Sequence, residues 1–350
     1  MGQRRPRPRL RPALPLTHPA PTGYRSSVHA ELPGWVRFVP RPYPSSNLIL
    51  LTGPTPVLLD SGFGSDAAAL GELIGAAGLA VAQLALVLNS HWHSDHSGGN
   101  AWLQAHGVPI AAARRDGEAV NRRDPSACEA EWLDQPVEPY HVGVLLDGGD
   151  RLRAGEADWE VLATPGHTPH HLSFYQPDEQ VLLLGDALHA DDFGWINLVL
   201  DGPGAIGVAL QSVERLAGLP VRCCLSGHGP LITDPPGAFA HARSRYERML
   251  ADPSRAAWHG MKRIFAYALM INDGMPLDGV TDYLTSRAWL IDYATRVLKV
   301  TPELLAEDLL AEMRRAKAVI ERDGVLRAAT PYTAPAPGWR TRPGAPRDWA

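Results

Sequence analysis

The sequence predicts an α+β protein in which two β-sheets pack together with helices outside, followed by a C-terminal helical domain. Three observations carry that expectation. Strand-like apolar runs alternate with helical segments from residue 35 to about 235, several of those runs end in loops crowded with histidine and aspartate, and after "HGPLITDPPG" the composition turns to helix formers with few strands. The expected limits are a disordered Arg/Pro-rich tail at 1–27, the two-sheet domain at 28–236, the helical domain at 237–333 and a second disordered tail at 334–350.

The opening segment alternates arginine with proline and offers no periodic apolar face, so nothing there can bury enough surface to order it. Residues 35–59 read as strand, turn, strand: "WVRFVP", the turn-rich "RPYPSSN", "LILLT", the turn "GPTP" and "VLLD". A helix follows at about 66–78, then a buried strand at 84–88, and "GGNAWLQAHG" reads as a helix closed by Gly107. Residues 111–140 are polar and irregular, and are expected to be partly helical and to lie over the surface as an insertion or lid. β character returns in "VGVLLDGGDRLRAG", "WEVLAT", "HLSFYQ", "QVLLLGD" and "VRCCLSG", with a helix at about 205–218 before the last. Beyond residue 237 four segments carry amphipathic spacing. In the last of them Thr301 caps, Pro302 opens and Gly324 closes the helix. Trp258, Phe265, Tyr267, Trp289 and Tyr293 fall at helical spacing and are expected to form the core of this domain.

Bulk composition excludes several classes. With 350 residues, 45% hydrophobic and 20% charged, the chain is an ordinary globular one, and a formal net charge of −5 argues against a whole-surface nucleic-acid or membrane binder. Three cysteines, two of them adjacent (Cys223, Cys224), cannot build a disulfide framework and point to a reducing compartment. No run of about 18 apolar residues is present to span a bilayer, and the N-terminus lacks the apolar segment of a secretory signal. The expected location is the cytoplasm.

The chemistry concentrates in "LALVLNSHWHSDHSGGNAWLQ", residues 84–104. Residues two apart in an extended segment point the same way, so His91 and His93 can reach one point from the loop leaving the strand. Asp95 and His96 follow as the chain turns into a helix and can aim at a second point nearby. Zinc takes imidazole nitrogen and carboxylate oxygen at about 2.0–2.2 Å, and all four residues are of that type. His167 in "LATPGHTPHH", Asp186 in "LLLGDALH" and His228 in "CCLSGHGPL" each follow an apolar strand directly, so strands ending on one edge would deliver them to the same cleft.

These residues resemble the signature of the metallo-β-lactamase superfamily, His-x-His-x-Asp-His followed by a His, an Asp and a last His, over roughly residues 34–235. The resemblance implies a four-layer αβ/βα sandwich with His91, His93 and His167 on one metal, Asp95, His96 and His228 on a second, and Asp186 bridging them. Two zinc ions are the expected cofactors, with iron or manganese as alternatives. "DSGFG" looks like the family's Asp-Thr-Gly turn, making Asp60 a candidate to orient a ligand. The C-terminal helices look like the winged-helix extension of some members, with "GVLRAAT" as the wing.

The function this implies is a binuclear zinc-dependent hydrolase. Two metals about 3.5–4 Å apart make hydroxide available near neutral pH and polarise the substrate oxygen, while Asp95 accepts a hydrogen bond from the nucleophile. No Gly-x-Ser-x-Gly elbow suggests a protein nucleophile. "TPGHTPHHLSFY" resembles a segment of glyoxalase II-like thioesterases and lactonases, with His170 in a place usually held by glycine, so a small acyl substrate is expected. Trp92, Phe193 and Trp195 are candidate walls of an acyl pocket, and His170 and His189 candidate contacts beside it. The alternative is a metal-dependent endoribonuclease, which would use the winged helix and the arginine-rich arm. Nucleic acid is not the favoured partner of an acidic chain, however, and the helical extension is expected to cover the cleft or form a homodimer face. An iron-dependent redox enzyme on the same ligands is less favoured, and a non-catalytic binding module or an exported β-lactamase least so.

Overall fold

The computed structural model describes residues 32–341 and 344–349; the tail expected at 1–27 lies outside them. Two sheets form the body of the molecule. The first contains β1 (Val36–Val39), β2 (Leu48–Leu51), β3 (Val57–Leu59), β4 (Leu86–Leu88), β5 (Ile110–Ala113) and β6 (Val144–Leu146), in that spatial order. The second contains β7 (Arg151–Ala154), β8 (Ala157–Ala163), β9 (Leu172–Gln176), β10 (Val181–Gly185) and β11 (Cys223–Ser226), ordered β11-β10-β9-β8-β7. Their facing sides interdigitate: Ile49, Leu51, Val57, Leu59 and Leu88 from one meet Val161, Leu172, Phe174, Val181, Leu183 and Leu225 from the other. Burying each such side chain contributes about 1.5–3 kcal/mol, so the alternation of these short strands fixes which face is inside.

Helices cover both outer faces. Helix α1 (Ala67–Ala76) and the later helix Asn100–Ala105 place Leu70, Ile74 and Leu103 against Leu50, Leu58, Val87 and Ile110. Across the molecule the helix Ala205–Ala217 lays Ile206, Ala209, Val213 and Leu216 on Leu182, Leu184 and Cys224. The result is a four-layer αβ/βα sandwich. The C-terminal helices Pro235–Ala251, Ser254–Ile271 and Pro302–Arg315 join the same apolar cluster on this second outer face. Trp258, Phe265, Trp289 and Tyr293 are buried there as expected from their spacing.

Strand direction positions the site. β8 pairs antiparallel with β9, β9 antiparallel with β10, and β10 parallel with β11, so β8, β10 and β11 all run the same way. β3 and β4 are likewise parallel. The carboxyl ends of these strands lie along one edge of the sandwich, and each leads directly into a polar loop.

Three expectations are corrected. Residues 110–113 are not part of a surface lid but the buried strand β5, bonded in parallel register to β4 and β6. Its alanines prefer helix intrinsically, and pairing on both sides overrides that preference. The following insertion also goes inward, with Val120, Cys128, Leu133 and Val137 buried. Gly324 does not close the last helix, which ends at Arg315. Instead Asp323 and Gly324, at φ of 51° and 73°, turn a hairpin between Val319–Arg322 and Val325–Ala328, as Asp-Gly pairs favour. Finally, the described part of 334–350 is an ordered strap. Trp339 packs on Phe63 with ring centroids 4.3 Å apart, and the Trp349 indole donates to the Val137 carbonyl at 3.0 Å. Two tryptophans anchor a segment that has no periodicity from which burial could be read.

Candidate metal centre

The loop after β4 carries His91 and His93, and the single helical turn Ser94–Ser97 brings Asp95 and His96 round beside them. His167 arrives after β8, Asp186 immediately after β10 and His228 after β11. All seven predicted side chains meet, in two groups. The ligand atoms of His91, His93 and His167 lie within 4.8 Å of one another, and so do those of Asp95, His96, Asp186 and His228. His93 Nδ1 is 2.9 Å from His167 Nε2. Asp186 stands between the groups: Oδ1 is 3.3 Å from His96 Nε2, and Oδ2 is 3.7 Å from His228 Nε2 and 3.9 Å from His167 Nε2.

The far side of most rings is already engaged. His91 Nδ1 meets Ser90 Oγ at 3.0 Å, His96 Nδ1 meets Asp60 Oδ2 at 2.8 Å, and His167 Nδ1 donates to the Trp195 carbonyl at 2.7 Å. That turns the Nε2 lone pairs of His91 and His167 toward the centre. Burial would lower His96, but Asp186, Asp60 and Asp95 outweigh it and hold that ring well above the usual histidine value, so a metal ion binding at its Nε2 displaces a proton. His91 Nε2, His96 Nε2 and Asp186 Oδ1 are buried without a hydrogen-bond partner. Such groups are costly unless something coordinates them, and a mixed nitrogen and carboxylate set of this kind fits zinc or a similar divalent ion. Gly227 is needed beside it, since a Cβ there would run into Asp186 Oδ1.

Electrostatics agree for two of the imidazoles and both carboxylates. Burial, reinforced by neighbouring imidazoles, holds His91 and His167 well below the usual histidine value, so both are neutral. Burial alone would raise Asp186 and Asp95, but the facing His96 and His228 outweigh it and keep both as carboxylates.

Asp60 accepts from the Ser90 amide at 2.7 Å and the Ser90 hydroxyl at 2.8 Å as well as from His96. It therefore orients His96 directly and His91 through Ser90. His189 lines the cavity, with Nδ1 2.5 Å from Ser226 Oγ and Nε2 3.9 Å from Asp186 Oδ2. Trp195 also lines it and stacks on His93 with centroids 5.6 Å apart. Phe193 lines it as well, with its ring buried and stacked on Tyr246 at 4.1 Å. Two candidates are corrected. Trp92 packs on the outer apolar face of the first sheet and His170 is half-exposed, and neither lines the cavity. Each is a neighbour of a site residue in sequence whose side chain the backbone turns away.

Residues that sequence reasoning missed come from remote segments. Tyr43 stacks on His228 at 4.7 Å. His171 accepts from the Asp186 amide at 3.1 Å and bonds Thr164 Oγ1 at 2.8 Å. Gly185 must be glycine for this, because its φ is 53° and a Cβ would sit 2.6 Å from His171 Nε2. Burial, only partly offset by Asp186, pushes His171 down to about 3. Its imidazole signals in NMR are expected to show no titration between pH 8 and 5; a midpoint near 6.5 would contradict this placement.

The C-terminal helix Ser254–Ile271 braces the metal loop. Ser94 donates to Gln135 Oε1 at 3.0 Å and accepts from the Tyr267 hydroxyl at 3.1 Å. Tyr267→Phe is expected to cost about 0.5–1.5 kcal/mol in denaturant unfolding; an unchanged midpoint would show that the brace carries nothing.

The chain belongs to the metallo-β-lactamase superfamily, whose family model matches residues 41–228, more than half of the chain. Among its relatives, the hydroxyacylglutathione hydrolase of Methylococcus capsulatus is 32% identical over 141 residues, covering 40% of this chain and 46% of that protein. The Beta-lactamase-like protein 2 homolog of Caenorhabditis elegans is 24% identical over 193 residues, 54% and 57% of the two chains. These matches span about half the length of the curated relatives. A metallo-beta-lactamase family protein from Thermus thermophilus superposes with a TM-score of 0.50 at 23% identity, covering 84% of this chain and 98% of its own, and shares the fold. No helix among the described residues is long and apolar enough to cross a membrane.

Proposed function

We propose that this protein is a binuclear zinc-dependent hydrolase of small acyl substrates, thioesters or lactones. One observation carries the reading: seven side chains of metal-ligating type converge, with the buried atoms His91 Nε2, His96 Nε2 and Asp186 Oδ1 left without a hydrogen-bond partner. His91, His93 and His167 would hold one ion, Asp95, His96 and His228 the other, with Asp186 between them. Bound there, divalent ions supply Lewis acidity toward the acyl oxygen and lower the pKa of water.

The chain itself does the rest. Asp95, kept as a carboxylate and 3.2 Å from His228 Nε2, accepts a hydrogen bond from the attacking water and fixes its direction. A cavity of about 550 Å³ opens from this floor toward the helix Ser254–Ile271. Trp195, Ala266, Tyr267 and Met270 give it apolar walls that suit an acyl chain and exclude bulk water. Arg263 lines the same cavity, held by Asp192, which also accepts from Arg245 and His259. Burial lowers Arg263 only to about 10, so it remains a cation at neutral pH and suits an anionic group on the substrate. The superfamily relatives named hydroxyacylglutathione hydrolase, which act on an acyl thioester by name, support the same class.

The test pairs metal analysis with a substrate panel. Protein purified in zinc is expected to hold two equivalents, to lose turnover of thioesters or lactones on chelation, and to regain it on zinc addition. Full turnover in zinc-free protein, or no acyl substrate hydrolysed by zinc-loaded protein, would sink the reading.

A further inference from the structure

We propose that Glu129 is the positioning residue for His93, reaching the metal centre from the insertion between β5 and β6. The inference rests on the metal reading above. In the first ligand group, His91 and His167 have their remote nitrogens held by Ser90 and the Trp195 carbonyl. His93 points Nδ1 inward, toward His167, so its remote nitrogen is Nε2. That atom is buried and has no hydrogen bond. Glu129 Oε2 stands 3.9 Å from it, with both side chains 5% exposed.

Glu129 is built into this position. The Asn197 amide donates to the same Oε2 at 2.9 Å, and Asn197 is itself locked by accepting from the Val199 and Leu200 amides at 3.2 and 3.1 Å. The backbone at Cys128 and Glu129 is left-handed, with φ of 59° and 48°. Non-glycine residues adopt that conformation at a cost, which the surrounding structure must offset. Trp195 stacks on the His93 ring at 5.6 Å, so ring tilt is set by Trp195 and rotation within the plane is left to a partner at Nε2. A carboxylate there selects the tautomer with hydrogen on Nε2, frees the Nδ1 lone pair, and raises the ligand's basicity. The 3.9 Å gap closes to hydrogen-bond length with a small movement of the ring toward Glu129.

The test uses the full chain with zinc and a chromophoric chelator in competition, alongside thermal unfolding of the zinc-free protein. Glu129→Ala is expected to weaken one of two zinc equivalents about 10–100-fold while leaving the other unchanged, with some loss of zinc-free melting point because the buried Asn197 amide loses its acceptor. Glu129→Gln, which keeps an acceptor but no charge, is expected to fall between Glu129→Ala and wild type. Wild-type binding of two zinc ions with both variants equal to it would overturn this proposal alone. So would a lowered zinc-free melting point with unaltered affinity, which would make Glu129 a purely structural residue. Should Glu129→Ala fail to fold, Glu129→Gln and Asn197→Ala decide the matter by the same two readouts. A wild-type chain that binds no zinc would overturn the metal reading and this proposal together.

Discussion

Asp186→Ala is expected to lower kcat/KM for the best acyl substrate on the order of 10³-fold, the range in which removal of one preorganised electrostatic group falls. The reason is its placement. Asp186 is the only carboxylate among the seven that approaches members of both groups, through Oδ1 to His96 and Oδ2 to His228 and His167. Without it no carboxylate of the seven would approach the first group, and the second would keep Asp95 as its sole carboxylate. Zinc content is therefore expected to drop from two equivalents to one or none at equal free zinc. Asp186→Asn, which preserves shape but not charge, separates the two contributions. A variant Asp186→Ala that retains two zinc ions and turns over within tenfold of wild type would contradict the bridging placement.

Asp60→Ala carries the second large effect, on stability as well as zinc. Asp60 is 3% exposed and serves three donors, the Ser90 amide, the Ser90 hydroxyl and His96 Nδ1. Removing one partner of a buried charged network costs about 3–5 kcal/mol, because the remaining groups keep their desolvation penalty without compensation. Asp60 also sits at φ 56°, a conformation aspartate and asparagine tolerate better than alanine. Asp60→Asn isolates the charge from that backbone cost. The measurement is denaturant unfolding of the zinc-free chain with a zinc competition titration; a loss under about 1 kcal/mol in Asp60→Ala would show that Ser90 and His96 find other partners.

Much of the site was legible because its chemistry is local. Three imidazoles and a carboxylate within His91–His96, each further ligand directly after an apolar strand, are patterns a polar surface turn does not need. Asp60 was legible only as a turn aspartate with a candidate second role, and the structure assigns it the orienting one. Glu129, Tyr43, His171 and Arg263 were not legible. Each lies among ordinary neighbours in sequence and gains meaning from a partner on another element. Trp92 shows the converse, since adjacency to two ligands in sequence did not bring its side chain into the cavity.

The sequence by itself determined most of the element types, the apolar alternation that builds two sheets, and the identity of the ligating groups, because period and residue chemistry are properties of a short window. Only the tertiary structure decided that residues 110–113 form a strand, that the C-terminal tryptophans are anchors, and which carboxylates stand behind the histidines. Those outcomes depend on parallel pairing and burial between segments far apart in the chain, where a side chain's environment is set by what packs against it and not by its own neighbours.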